Sequence, residues 1–212
     1  MMKKMTKTWV CAALLSTSAM AQAGLSANIG GMSDYWFRGL DQTTNNASIM
    51  GGLDYEHDSG LYVGTWLASL PSDLEYDLYA GYSGEMGDFS YSAGLIGYFY
   101  QDYDGVYKEL NLSVSYGPVT LAHNIGKLDD PAGDVDYTFT SLTAEYEGAY
   151  VTYGQYGDEV DGSYAEVGYG LTFEGIDFSV AAIFPDEDIS ATNNWVSSSN
   201  ELLFTFSKSF DL

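Results

Sequence analysis

The chain has 212 residues, with 30 acidic against 7 basic side chains and a heavy aromatic load of 19 Tyr, 10 Phe and 4 Trp. This acidity argues against nucleic acid, whose binders set Lys and Arg against phosphate, and against docking on an anionic membrane surface. With 24 Gly, 4 Pro and a lone cysteine, Cys11, the composition describes strands rather than helices or disorder.

The chain opens on a basic stretch from Met1 to Lys7, followed by an apolar run from Trp9 to Leu15 and an A-x-A ending at Ala23. These are the three parts of a secretory signal peptide, expected to be cleaved after Ala23. The apolar run is too short to span a bilayer as a helix, which takes about 20 residues. Removing the signal peptide removes Lys3, Lys4 and Lys7, so the exported chain carries a formal charge of 4 − 30 = −26. It also loses Cys11, and must be stable without disulfides.

From Gly24 onward the pattern has period 2, the signature of strands with two unlike faces. In Val106–Tyr116, Val106, Lys108, Leu110, Leu112, Val114 and Tyr116 oppose Tyr107, Glu109, Asn111, Ser113 and Ser115. The same reading of 164–174 sets an apolar face against a largely polar one, and in 176–184 Ile176, Phe178, Val180, Ala182 and Phe184 oppose Asp177, Ser179, Ala181 and Ile183. Twelve strands are expected, with ten as the alternative: 25–39, 47–56, 60–69, 75–83, 88–100, 106–116, 119–127, 136–146, 149–156, 163–173, 176–184 and 201–211. Each is about as long as a tilted membrane-crossing strand, roughly 9–11 residues. In 136–146 the apolar set changes parity between Phe139 and Leu142, which predicts a bulge.

Connections alternate between short turns, such as Gly117-Pro118 and Glu174-Gly175, and longer polar loops, such as 128–135 and 185–200. Each short turn follows an aromatic: Tyr55, Tyr82, Tyr116, Tyr146 and Phe173, spaced by 27, 34, 30 and 27 residues. These predict an aromatic girdle at one membrane interface. The last stretch, Glu201–Leu212, puts Leu202, Phe204, Phe206, Lys208, Phe210 and Leu212 on one face, with no tail beyond the strand. The expected fold is an all-β, transmembrane, antiparallel up-and-down barrel with both termini in the periplasm. A soluble periplasmic β-sandwich is the other all-β reading.

The segment Ser33–Thr43, SDYWFRGLDQT, with Ser26-Ala27-Asn28 before it and Gly51-Gly52-Leu53-Asp54-Tyr55 after it, resembles the TorF-family porins, proteobacterial outer-membrane barrels. Ser59–Trp66 and the S-K-S-F near the end share the resemblance. This chain departs from many members in ending Phe210-Asp211-Leu212. The resemblance implies a signal peptide, a barrel and a pore, and no particular substrate. The expected partners are outer-membrane lipid and lipopolysaccharide, the barrel-assembly machinery through the last strand, and small solutes or cations.

If the apolar parity faces lipid, Asp34, Asp54, Asp77, Glu109, Glu166 and Asp177 line the pore, joined by Arg38. Asp34 and Arg38, four apart on one strand face, are positioned to pair. A cation-preferring diffusion channel follows; a closed, non-conducting barrel with acidic loops for adhesion or envelope structure is the alternative. The loop acids Asp129, Asp130, Asp134 and Asp136 are the nearest thing to a metal site, but lack EF-hand spacing. No cofactor motif is present, and two histidines, His57 and His123, without a serine partner argue against catalysis.

Overall fold

Alternating sequences place unlike side chains on opposite faces of a strand, and here the strands run long enough to hydrogen-bond into one closed wall. The computed structural model describes residues 24–189 and 199–212. The signal peptide read at 1–23 lies outside the described residues. The barrel strands are β1 (Gly24–Met32), β4 (Ser48–Glu56), β5 (Leu61–Ser69), β6 (Leu74–Met86), β7 (Phe89–Tyr100) and β8 (Val106–Tyr116), followed by β9 (Val119–Asp129), β10 (Val135–Tyr146), β11 (Ala149–Asp158), β12 (Ser163–Phe173), β13 (Ile176–Pro185) and β14 (Glu201–Asp211). Two short strands, β2 (Trp36–Phe37) and β3 (Leu40–Asp41), form a separate hairpin between β1 and β4.

Every barrel strand pairs antiparallel with its sequence neighbours, and β1 closes the circle by pairing with both β4 and β14. This is the expected closed barrel of twelve strands. Closure removes both sheet edges, so no row of backbone N–H and C=O groups is left to face hydrocarbon.

The apolar parity points outward. Leu110, Leu112 and Val114 on β8, and Leu202, Phe204 and Phe206 on β14, are all exposed. An apolar surface running round the whole wall has no place in water, and defines a lipid-facing belt. Tyr55, Tyr82, Tyr116, Tyr146 and Phe173 stand exposed beside the short turns, which makes them the girdle read from the spacing. Two of those turns, Glu147-Gly148 and Glu174-Gly175, hold φ at 49° and 87° and at 52° and 73°. Positive φ at both central residues is the two-residue hairpin whose twist matches its strands.

The inward face alternates large and small. Tyr137 sits opposite Gly126, Tyr150 opposite Gly168, and Tyr79 opposite Gly64. A side chain on any of these glycines would collide with the facing ring, so each of these three tyrosines lies across a glycine of the neighbouring strand.

Two expectations fail. The first strand does not run to 39: it stops at Met32, and the segment that follows turns into the lumen, burying Asp34, Tyr35, Asp41 and Thr43 before residues 44–47 return to the surface. The bulge is also absent, because β10 keeps continuous register with β9 and β11 through Phe139 and Leu142. The parity change is real in the sequence, but its cause is different. Tyr137 and Phe139 are aromatic and face inward, where they pack against the hairpin, while Leu142 faces lipid.

The belt can be tested with one charge. Leu110→Arg on the lipid face should cost about 2–4 kcal/mol of barrel stability, while Ser113→Arg on the lumen face costs distinctly less. Urea unfolding in lipid vesicles measures both.

Candidate functional site

The first loop is built to fold inward. Ser33 is still tied to β14, its N–H donating to the Phe204 carbonyl at 2.8 Å and its Oγ accepting from the Phe204 N–H at 3.0 Å; Asp34 to Asn46 then cross-link themselves with short-range hydrogen bonds. The Asp34 carboxylate accepts from Trp36 Nε1 at 2.6 Å and from Thr43 Oγ1 at 2.5 Å. Asp41 Oδ1 accepts from the backbone N–H groups of Thr43 and Thr44 at 3.0 and 2.7 Å, an Asx turn. The hairpin tip, Phe37-Arg38-Gly39-Leu40, has φ of 52° at Arg38 and 82° at Gly39. That turn type prefers Asn, Asp or Gly at its first central position. The turn therefore does not account for Arg38; the side chain's partners do.

Arg38 reaches across the lumen to Glu109 on β8, with Nη1–Oε1 at 2.6 Å and Nη2–Oε2 at 3.0 Å. This is a two-pronged guanidinium–carboxylate pair, the strongest geometry such a pair can adopt. Glu109 also accepts from the hydroxyls of Tyr137 at 2.8 Å and Tyr98 at 3.1 Å. The guanidinium lies 4.6 Å from the ring centres of both Phe37 and Phe139. Burial opposes the Arg38 charge, but Glu109 beside it outweighs this and holds the arginine's pKa above its ordinary value. The side chains are 9% and 0% exposed, so the pair is shielded from salt and water.

The hairpin's other side chains anchor it to opposite walls. Tyr35 stacks edge-on against Trp66 of β5 at 5.5 Å, and its hydroxyl donates to Glu75 of β6 at 3.2 Å. Phe37 meets Tyr98 of β7 at 5.6 Å, and Gly39 passes against Tyr164 of β12 and Ile189. Trp36 and Leu40 pack on the cluster of Tyr137, Phe139, Tyr156 and Tyr164. The loop thus crosses the half of the lumen away from the short turns, from β5 and β6 to β12.

Below it the lumen changes character. Ser92 and Ser113 bond at 2.7 Å, Ser115 and Thr120 at 2.8 Å, Thr143 and Thr152 at 2.9 Å, and Asn124 donates to Asn111 at 2.5 Å. Small hydroxyl and amide side chains line this half. Three wall acids are held by hydroxyls: Tyr79 donates to Asp54, Tyr150 to Glu166 at 2.5 Å, and Thr172 to Asp177 at 2.5 Å.

The inward parity read for Asp54, Asp77, Glu109, Glu166 and Asp177 matches their strand faces. Asp34 and Arg38 also lie inside the barrel, but on the hairpin rather than the wall. Their expected pairing is overturned, because the turn at Arg38 sends the guanidinium away from Asp34 to Glu109. Glu75 escaped notice in the sequence. Its signal was present, since it shares the Asp77 parity on β6.

The loop acids are engaged elsewhere. Asp129 pairs with Lys108 and Lys127, Asp134 pairs with Lys127 at 2.7 Å, and Tyr103 donates to Asp130. Asp136 meets the Glu159 carboxylate through its backbone N–H. Among the described residues no three His, Cys, Asp or Glu side chains converge on a metal position. His57 sits in an exposed turn against Ser59, and His123 bonds Thr140 Oγ1 on the outer wall.

A membrane-spanning β-barrel whose first loop folds across its own lumen is the class these features define. A family model described as a bacterial protein of unknown function, Gcw_chp, matches residues 16–210, and the chain belongs to that family. No curated protein matches it in sequence. Among solved structures, KdgM porin aligns with a TM-score of 0.59 and 8% identity over 87% of this chain and 99% of that one. The same porin in complex with disordered oligogalacturonate gives a TM-score of 0.58 and 8% identity, over 87% and 99% of the two chains. A membrane protein crystallised in meso gives a TM-score of 0.61 and 10% identity over 89% and 83%. At these identities the likeness is one of fold.

The Arg38 pair generates a direct test. Arg38→Asn keeps a residue the turn favours but leaves Glu109 buried and unpaired, at a cost of about 3–5 kcal/mol. The expected relief is release of the hairpin. Hydrogen exchange at residues 33–47 should accelerate, with the barrel wall unchanged.

Proposed function

We propose that the chain is an outer-membrane diffusion pore, porin-like and cation-preferring, narrowed at its extracellular half by the inward hairpin. The observation that carries this reading is the charge of the lumen. Glu75, Asp77, Glu109, Glu166, Asp54 and Asp177 face inward, while Arg38 is the single basic side chain there among the described residues and is consumed by Glu109. Rings of carboxylate select cations over anions, and a low-dielectric wall strengthens their field. The porin fold supports a channel, and the resemblance of Ser33–Thr43 to the TorF-family porins points the same way. The oligogalacturonate complex of KdgM porin involves a polyanion, which this acidic lumen would repel. We read the histidines as non-catalytic and the leader at 1–23 as cleaved on export.

A second reading has its own observation. The hairpin is packed by aromatic clusters on both sides, as expected of a barrel that stays closed and serves adhesion or envelope structure. Conductance separates the two. Protein reconstituted in planar bilayers should conduct with a cation-selective reversal potential, and Arg38→Asn should raise the single-channel conductance. Anion selectivity, or silence from folded protein, would sink the pore.

A further inference from the structure

The hairpin brings one cation into an enclosed space lined by three carboxylates, and places it on Glu109. The other two, Glu75 and Asp77, are left with acceptors to spare. Both are 2% exposed, and both project inward from β6 two positions apart, about 7 Å along the strand. Glu75 Oε1 accepts the Tyr35 hydroxyl at 3.2 Å, but its Oε2 has no hydrogen-bond partner among the described residues. Asp77 Oδ1 has none either. Their strand neighbours supply no donor from a basic group: Glu75 lies between Ala68 and Tyr100, and Asp77 between Trp66 and Tyr98. Leaving a carboxylate oxygen buried without a partner costs free energy of the order of 1–3 kcal/mol, and more for a charged group. Two such oxygens on one face, walled by aromatic rings, call for a positive partner the chain does not provide.

We infer that Glu75 and Asp77 form a binding station for a hard divalent cation, of Ca²⁺ type, against the Tyr35 side of the hairpin. The donor set is all oxygen, which suits hard cations over soft ones. Two carboxylates balance a double charge. With only two protein carboxylates the rest of the shell is water, so binding is modest and reversible, as a site on a permeation path requires. The station rests on the reading of the lumen as a cation path. It gives that path a location, beside the constriction rather than in the open periplasmic half.

The rings make the station visible. Tb³⁺ replaces Ca²⁺ in oxygen sites and luminesces when tyrosine or tryptophan lies close, as Trp66, Tyr98 and Tyr35 do here. Purified folded barrel should give Tb³⁺ luminescence on excitation of its aromatics, displaced by added Ca²⁺. Glu75→Gln and Asp77→Asn, alone and together, preserve shape; the double variant should bind Tb³⁺ at least tenfold more weakly. Asp129→Asn with Asp134→Asn, in the extracellular loop region, should leave the signal intact. Absence of displaceable luminescence in the unaltered protein overturns the station, and needs no variant to fold. A signal that survives the double variant also overturns it, as does infrared detection of protonated carboxyls lost on Glu75→Gln and Asp77→Asn. Bilayer recordings separate the two ideas. Cation-selective conductance without the Tb³⁺ site removes the station and keeps the pore; the Tb³⁺ site in a silent barrel does the reverse.

Discussion

The whole structure depends on one constraint: inside hydrocarbon, a backbone N–H or C=O finds no water and must be paired within the protein. Closing β1 onto both β4 and β14 meets that constraint for every strand at once. It also settles the chemistry of each residue, because closure gives the sheet an inside and an outside. Leucine, valine and most phenylalanines take the lipid side, while most serines and threonines, the inward tyrosines and the carboxylates of the wall strands take the lumen. The girdle tyrosines follow from the same geometry, standing where strands leave the membrane.

Closure creates a second problem, which the hairpin answers. A barrel of this size encloses more space than side chains fill as completely as they do with eight strands. The inward tyrosines, lying across glycines of the next strand, thicken the wall without blocking it. The hairpin then occupies the half away from the short turns. Its energetics are those of a buried ion pair: removing either partner strands the other's charge, so Arg38 and Glu109 stabilise the loop only together. The four donors to Glu109, two from Arg38 and one each from Tyr98 and Tyr137, remove most of the penalty of burying it. The result is a lumen in two storeys, an aromatic one closed by a latch and a hydroxyl-lined one below.

This division explains the uneven chemistry of the inward acids. Asp54, Glu166 and Asp177 have hydroxyl donors in Tyr79, Tyr150 and Thr172. Glu109 has the latch. Glu75 and Asp77 stand in the crowded storey with oxygens left over, and that imbalance sets them apart from the other inward acids of the barrel wall.

The strand count, most boundaries, the lipid and lumen faces and the aromatic girdle were legible in the sequence, because a strand's side-chain period is a local property that neighbours in space cannot alter. Strand 106–116 and strand 163–173 fell where the alternation put them. The inward loop was not legible. Ser33–Asp41 alternates well enough to continue a strand, and only the positive φ at Arg38 and Gly39 turns it into a hairpin. The same loop disguised β10, where Phe139 looked misplaced until it had Arg38 to pack against. The pairing of Arg38 with Glu109 spans 71 residues, and no local pattern encodes a contact at that separation. In the regularly alternating wall strands, sequence alone determined which face each side chain takes. Tertiary structure decided which charges meet, since that depends on where a closed wall brings distant strands around a loop folded inside it.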